Sequence, residues 1–296
     1  MKPAAFDYVA PRSLDEVLLV LSQADGGARL LAGGQSLMPL LNLRLARPAR
    51  LIDLNRVPEL AYVAEQADGV AIGAMTRQAT LERHPALIRH QPLLAEALKD
   101  VGHPATRARA TLGGSLAHAD PAAELPAVAV CLGARLRLVS PRGERTVDAE
   151  QFCVGYLSTV LEPDEILTDI WLPAPWPRSG YAWLELARRQ GDLALAGVAV
   201  ALAVERQCVT EARIVVTGVG GTPFRAREAE IVLVGGSVAE RASVAARAVR
   251  GAIDPPADSQ CSRDYRVHLA GVLTERAIRL AGKRAAHAQQ RTPVHD

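Results

Sequence analysis

Apolar and polar positions alternate along the chain with the periods of short strands and helices. A helix is predicted over residues 13–25, because Ser13 and Glu16 form a capping-box pair at its start. A short apolar strand, Ala28–Ala32, follows and runs into a pair of glycines. The same patterns predict strands at Leu51–Leu54, Val70–Ala74, Arg135–Val139 and Ile166–Leu172, and helices at Ala86–Val101 and Leu125–Leu132.

Three prolines, Pro173, Pro175 and Pro177, interrupt this pattern within five positions. Proline fits neither a continuing helix nor a central strand, so a linker and a domain boundary are predicted near residue 177. Beyond the linker, short connections favour an antiparallel sheet followed by helices. The predicted strands are Tyr181–Arg188, Leu193–Glu205 and Val209–Gly218, and the predicted helices are Arg225–Val234, Val238–Val249 and Tyr265–Ala285. Leu193–Glu205 is apolar almost throughout, as a strand covered on both faces would be, and the polar residues 286–296 are expected to form a loose tail.

Composition narrows the range of functions. With 296 residues, 49% of them apolar, the chain can form more than one core, and a formal charge of +2 gives no reason to expect a nucleic-acid partner. The N-terminus lacks a secretory signal and the longest apolar run, Leu193–Val204, is too short to span a bilayer, so a cytoplasmic protein without membrane insertion is expected. Scattered cysteines and histidines predict no metal site within this chain.

Two glycine-rich segments carry the candidate chemistry. The first glycine segment, Ala32–Ser36, and the second glycine segment, Thr111–Ser115, each combine two glycines with hydroxyl-bearing or amide neighbours. Glycines let backbone N–H groups converge on an anion, so two such loops in one domain would bind a diphosphate from both sides. Each segment alone also fits a plain tight turn. The sequence lacks the GxGxxG, GxxxxGK[ST] and GxSxG patterns, which argues against a Rossmann fold, a P-loop and a hydrolase nucleophile elbow.

The two glycine segments and their surroundings resemble a known family. Ala32–Pro39 with Leu51–Asn55, and the stretch from Gly102 to Pro126, resemble the two flavin signatures of the FAD-binding medium subunit of the carbon monoxide dehydrogenase and xanthine dehydrogenase family, the molybdenum hydroxylases. Pro163–Leu167, and Arg188 and Arg189 with Asp192, resemble later landmarks of that family. The resemblance covers residues 1 to about 285.

The resemblance implies an α+β fold in two parts. Residues 1–177 would form a two-lobed FAD-binding domain of the vanillyl-alcohol oxidase type, with the lobes divided near residue 56. Residues 178–285 would form a smaller C-terminal domain, made of a three-stranded antiparallel sheet and a helical bundle. The pattern of strands and helices after residue 177 independently predicts the same arrangement.

The resemblance also implies a division of labour between subunits. A large partner subunit would hold a molybdenum cofactor and hydroxylate a small, N-heteroaromatic substrate, and a small partner subunit would carry two [2Fe–2S] clusters. This chain would bind FAD, take electrons from the clusters and pass them to an external acceptor, within a dimer of heterotrimers. No residue of this chain would be catalytic.

The site residues follow from the resemblance position by position. The FAD diphosphate and ribityl chain would be bound by Ala32, Gly33, Gly34, Gln35, Ser36, Thr111, Gly113, Gly114 and Ser115. Val101 would lie along the flavin, Leu167 would pack near its ring, and Glu124, where relatives often carry Asp, would accept a hydrogen bond. His103 and His118 are expected to stabilise loops or to lie beside the ring.

One position departs from the family pattern. Many relatives have a lysine close to the flavin shortly before the Arg188–Arg189 pair, where this chain has Leu184 and Glu185. A cation near the ring would stabilise reduced, anionic flavin, and a carboxylate would not. Either another group such as Arg188 supplies the charge, or the flavin has a lower potential.

Two other functions stay open at this point. A self-contained oxidase of the vanillyl-alcohol oxidase fold would carry a larger substrate domain than the short, apolar segment after residue 177. A non-enzymatic protein that binds another phosphate compound would show no flavin in its absorption spectrum.

Overall fold

The computed structural model describes residues 2–291, with side chains to residue 288. In chain order the strands are β1 (Asp7–Val9), β2 (Ala28–Leu31), β3 (Arg50–Asp53), β4 (Val63–Gln66), β5 (Gly69–Gly73), β6 (Arg135–Ser140), β7 (Gly143–Asp148), β8 (Cys153–Gly155), β9 (Ser158–Thr159), β10 (Ile166–Pro173), β11 (Ser179–Leu186), β12 (Ala196–Glu205), β13 (Cys208–Thr217) and β14 (Phe224–Arg225). The helices are α1 (Leu14–Ser22), α2 (Leu37–Asn42), α3 (Gln78–Arg83), α4 (Pro85–His90), α5 (Pro92–Ala97), α6 (Pro104–Arg107), α7 (Leu112–His118), α8 (Glu124–Leu132), α9 (Ala149–Phe152), α10 (Arg227–Leu233), α11 (Val238–Ala252) and α12 (Arg263–Arg291). Short 3₁₀ turns follow β3 at Leu54–Arg56 and Pro58–Leu60.

A small parallel sheet of order β1–β3–β2 forms the N-terminal end of the molecule. Helix α1 begins as predicted, because the Ser13 hydroxyl accepts a hydrogen bond from the Glu16 N–H group. The helix buries Val17 and Leu21 in one cluster with Ile52 of β3. Strand β2 therefore leads the chain from a packed sheet straight into the first glycine segment.

A five-stranded antiparallel sheet of order β4–β5–β10–β6–β7 forms the second layer. In β6 the expected alternation is confirmed, since Leu136 and Leu138 are buried while Arg135 and Arg137 are exposed. Helices α3 to α5, α7 and α8 contribute to the same core as this sheet. Central strand β10 carries Leu167 into that core.

The C-terminal sheet has four strands, in the order β11–β12–β13–β14, so the expected three-stranded sheet is corrected. The additional edge strand, β14, pairs through two residues only, which is too short to give a period of two in the sequence. Central strand β12 is buried on both faces as predicted. Ala199 and Ala201 join the core of the second sheet, while Val198 and Val200 pack in the cluster that contains residues of α10 to α12.

Two predictions, one of a helix and one of a loose tail, need correction. The predicted helix over Ala86–Val101 is two short helices, α4 and α5, because Pro92 has no N–H donor and forces Gln91 out of the helical region, with φ −133° and ψ 55°. The predicted loose tail at residues 286–296 is helical up to Arg291, since α12 continues without a break. Residues 286–291 contain alanine and glutamine, which favour helix even though they are polar overall. Residues 292–296 lie outside the described part of the chain.

Candidate functional site

A cleft of about 640 Å³ lies among the small parallel sheet, the start of α7 and α8, and strand β10. Every residue that the sequence predicts to bind the cofactor lines this cleft: Ala32, Gly33, Gly34, Gln35, Ser36, Val101, Thr111, Gly113, Gly114, Ser115, Glu124 and Leu167. A second hollow of about 470 Å³ adjoins it and shares the lining from Ala32 to Gln35. The fold therefore brings separate parts of the chain together at one place, while their roles toward a ligand stay a prediction.

The first glycine segment offers a strip of available backbone donors. The N–H groups of residues 33–36 donate to no acceptor in the part of the chain that the structure describes. Gly34 has φ +73°, a left-handed conformation that glycine adopts without strain, and this reverses the chain between β2 and α2. Four adjacent N–H groups at the wall of a cleft suit an anionic ligand such as a diphosphate.

The second glycine segment is not a loop, and this corrects the expectation that it contributes converging N–H groups. Thr111 caps helix α7, because its Oγ1 accepts from the N–H of Gly114 at 3.0 Å. The N–H of Gly113 donates to the Ala74 carbonyl at 2.9 Å, and those of Leu112 and Ser115 also have internal acceptors. The backbone donors of residues 112–115 are therefore already used by the fold.

The two glycines of the second segment are required by close packing instead. A Cβ atom at Gly113 would lie 2.9 Å from the Ala74 Cα, and one at Gly114 would lie 2.7 Å from the Thr111 Oγ1. Real Cβ atoms do not approach so closely, so larger residues would push α7 away from its neighbours. This segment contributes a tight wall and the Ser115 hydroxyl rather than a second set of backbone donors.

Arg77 bonds to residues that adjoin the two glycine segments. Its guanidinium donates to the Arg109 carbonyl and to Asn55 Oδ1. Asn55 in turn donates from Nδ2 to the Ala32 carbonyl at 2.9 Å. Gly33 packs directly against the backbone of Arg109, where a Cβ atom would collide. No sequence pattern indicated a role for Arg77, because its partners lie 22 and 32 residues away in the chain.

A buried arginine fixes the part of the cleft wall that contains Val101. Arg107 is 7% exposed, and its NH1 donates to the carbonyls of Val101 and Gly102, both at 3.0 Å. Its Nε forms an ion pair with Glu82 at 2.9 Å. His103 packs against the turn at Gly191.

Three carboxyl groups, Asp100, Glu124 and Glu185, form an acidic cluster beside the cleft. Burial raises the pKa of Glu124 to about 7, and the charges of Asp100 and Asp120 add to the shift. Burial also raises the pKa of Glu185 to about 8, with the charges of Glu124 and Asp100 as further causes. Because burial and the neighbouring charges disfavour ionisation, Glu124 and Glu185 retain protons near neutral pH.

Arg188, which the sequence offered as a possible source of positive charge near the flavin, does not line the cleft. The Arg188 side chain is exposed and donates to Gln260 Oε1 at 3.2 Å, and it does not belong to the cleft lining. Glu185 instead adds a carboxyl group to the surroundings of Glu124. The electrostatic environment on this side of the cleft is therefore acidic.

Comparison with known proteins decides the family. Residues 4–175 match the family model of the FAD binding domain in molybdopterin dehydrogenase, and residues 181–281 match that of the CO dehydrogenase flavoprotein C-terminal domain. The chain belongs to the family of FAD subunits of molybdopterin dehydrogenases. This FAD subunit is 40% identical to caffeine dehydrogenase subunit beta from Pseudomonas sp. (strain CBB1), over 97% of this chain and 98% of that one.

Two solved structures resemble the FAD subunit over nearly its whole length. A chain of carbon monoxide dehydrogenase from Hydrogenophaga pseudoflava superposes with a TM-score of 0.94 at 40% identity, covering 96% of this chain and 99% of that one. A chain of quinoline 2-oxidoreductase from Pseudomonas putida 86 superposes with a TM-score of 0.91 at 39% identity, covering 97% and 99%. The mixed α/β architecture is thus that of the carbon monoxide dehydrogenase medium subunit.

The residues present fit FAD, the cofactor of this family. Two adjoining hollows that meet at the first glycine segment suit a dinucleotide, whose two halves are joined by a diphosphate. In the strip of N–H donors, residues 33–35 line both hollows and Ser36 lines the larger one. In the described part of the FAD subunit no helix has the length and apolar character to cross a bilayer, and no three His, Cys, Asp or Glu side chains converge as a metal site requires.

Proposed function

We propose that this FAD subunit relays electrons within a molybdenum hydroxylase. It would receive them from two [2Fe–2S] clusters in a small partner subunit and pass them to an external acceptor. Substrate hydroxylation would take place at a molybdenum cofactor in a large partner subunit, and two such heterotrimers would form the complete complex. Bound FAD supplies the redox chemistry, and the protein supplies binding, orientation and electrostatics.

The observation that carries the proposal is the strip of unused N–H donors where the two hollows meet. Residues 33–36 would hold the diphosphate there, with the tight wall of the second glycine segment opposite. Val101 and Leu167 would then border the flavin, and the bonds from Arg107 would keep the backbone of Val101 in place. None of these groups moves a proton or attacks a substrate, which suits a subunit that transfers electrons only.

We further propose that the complex acts on a small N-heteroaromatic compound. Two of the similar proteins are named for caffeine and quinoline, which are both nitrogen heterocycles. The same family also includes carbon monoxide dehydrogenases, so this choice of substrate class is the more specific part of the proposal. The substrate itself would bind to the large subunit.

Purified protein tests the cofactor assignment. The wild-type chain should carry FAD in its absorption spectrum or take it up to one equivalent. Gly33→Val should lose the FAD, because its side chain would displace the first glycine segment from Arg109. Gly251→Val is the matched control, since a side chain at Gly251 meets no atom within 4 Å, and it should retain FAD. Stoichiometric FAD in a folded Gly33→Val variant contradicts the assignment.

A kinetic experiment tests the relay. The FAD-loaded chain alone should not oxidise N-heteroaromatic compounds, and it should be reduced rapidly once a reduced two-cluster iron–sulfur subunit is added. Turnover of an organic substrate by the isolated chain at enzymatic rates would replace the relay with a self-contained oxidase.

A further inference from the structure

The cleft wall contains a buried polar atom that has no hydrogen-bond partner in the part of the chain that the structure describes. Gln78, the first residue of α3, is 2% exposed and lines the cleft. Its Oε1 is buried and receives no hydrogen bond from the residues that the structure describes. Buried side-chain oxygens are almost always paired, so an unpaired one at the wall of a ligand cleft calls for a donor from the ligand.

The orientation of the Gln78 amide is fixed by its neighbours. Its Nε2 faces the Thr111 carbonyl at 3.4 Å, and its backbone N–H donates to the Ala110 carbonyl at 2.9 Å. If the amide were turned over, Oε1 would face the Thr111 carbonyl, and two acceptors would oppose each other. The unpaired atom is therefore an acceptor, and only a hydroxyl or an N–H group can satisfy it.

A purely structural role does not explain this residue. The long contact to Thr111 is weak, and the Thr111 carbonyl already accepts from the Ser115 N–H at 3.2 Å. An apolar side chain of the same length would fill the space without burying an unpaired oxygen. Gln78 thus makes the ligand-free chain less stable, a disadvantage that a bound partner would remove.

We propose that Gln78 is a binding residue of the cleft, whose Oε1 accepts a hydrogen bond from a donor group of the bound flavin nucleotide. This inference rests on the proposed function. Gln78 contacts Ala110 and Thr111, directly at the start of the second glycine segment, and lines the same cleft as Val101. With the flavin half of FAD bound on this side of the cleft, the donor would be a hydroxyl of the ribityl chain or the imide N–H of the flavin ring.

The test compares two buried glutamines in the full chain. Gln78→Met keeps the length of the side chain and removes the acceptor. Gln91→Met is the control, because Gln91 is 1% exposed, donates to the Pro173 carbonyl at 2.7 Å and does not line the cleft. Flavin-free protein is titrated with FAD by flavin fluorescence, and its Tm is measured separately by circular dichroism.

Opposite results are expected for the two variants. Gln78→Met should bind FAD about tenfold more weakly, while its flavin-free form melts at or above the wild-type Tm. Gln91→Met should bind FAD with the wild-type Kd and melt at a lower Tm. An unchanged Kd for Gln78→Met overturns the inference, and would mean that Oε1 pairs only with an internal water. A wild-type chain that binds no FAD would instead overturn the proposed function.

FAD analogues identify the donor. One set lacks a single ribityl hydroxyl, and another is methylated at the ring imide nitrogen. The analogue without the relevant donor should bind the wild-type chain about tenfold more weakly than FAD binds it. Gln78→Met, which lacks the acceptor, should bind this analogue and FAD with the same Kd. If every analogue weakens binding to both proteins by the same factor, Gln78 accepts from none of these donors and the inference is wrong.

Discussion

Replacing Glu124 by glutamine should stabilise the flavin-free chain by an amount that grows with pH. Glu124 is 3% exposed, and burial, assisted by Asp100 and Asp120, raises its pKa from the ordinary 4.5 to about 7. Below pH 4.5 the carboxyl is protonated in the folded and the unfolded chain alike. Between pH 4.5 and 7 only the unfolded chain loses the proton, so wild-type stability falls across that window and does not recover above it.

The size of the effect follows from the same shift. At about 1.4 kcal/mol per pKa unit, the interval from 4.5 to about 7 corresponds to about 3 kcal/mol lost above pH 7. Glu124→Gln should also lower the pKa of Glu185, because after burial the charge of Glu124 is the largest cause of its raised pKa. This second change adds to the gain in stability at high pH. Glu124→Gln should therefore gain almost nothing near pH 4 and about 3 kcal/mol near pH 8.

Urea unfolding of the flavin-free chain at several pH values measures this difference. Glu165→Gln is the matched control with the opposite sign. Glu165 is 7% exposed, and its bidentate hydrogen bonds from Arg145, both 2.7 Å, hold its pKa below the ordinary value. That variant should lose stability at neutral pH, and the loss should shrink as the pH falls below 4.5. An equal gain in the free energy of unfolding for Glu124→Gln near pH 4 and near pH 8 refutes the reasoning. A gain that does not depend on the charge of the carboxylate would not change with pH.

Three further predictions concern residues around the cleft and the thiols. Arg107→Met should lower the free energy of unfolding by about 3 kcal/mol, since it leaves a partly buried carboxylate unpaired; a loss below about 1 kcal/mol in urea unfolding contradicts this. Glu185→Lys should lower the pKa of Glu124 and raise the midpoint potential of the bound flavin in a redox titration; an unchanged potential would show that this position does not act on the cofactor. A thiol reagent should label the exposed Cys208 in the native chain and spare Cys131, whose pKa burial raises to about 12; fast labelling of both contradicts the buried position of Cys131.

Much of the fold follows from local pattern, and the errors have local causes. The wholly apolar segment that became β12 and the alternating one that became β6 were both predicted, because their burial is set by their own side chains. Strand β14 was missed because two residues carry no period. Pro92 by itself indicates a helix break. The apolar spacing on both sides of it favoured one continuous helix, and the break was therefore not predicted.

The residues that line the cleft were predicted from the sequence, but the backbone donors available to a ligand were not. The two glycine segments resemble known signatures, and the structure brings both to one cleft. Which N–H groups are available depends on tertiary acceptors, such as the Ala74 carbonyl that takes the donor of Gly113. Gln78, Arg77 and Arg107 have partners too far along the chain for any spacing rule to reveal.

Hydrogen–deuterium exchange, followed amide by amide with and without FAD, tests most directly whether the first glycine segment binds the diphosphate. The N–H groups of residues 33–36 donate to no acceptor among the described residues, so they should exchange quickly in the flavin-free chain and become protected once FAD is bound. The N–H groups of Gly113 and Gly114 already donate within the fold and should change little. Unaltered exchange at residues 33–36 on saturation with FAD would contradict the account.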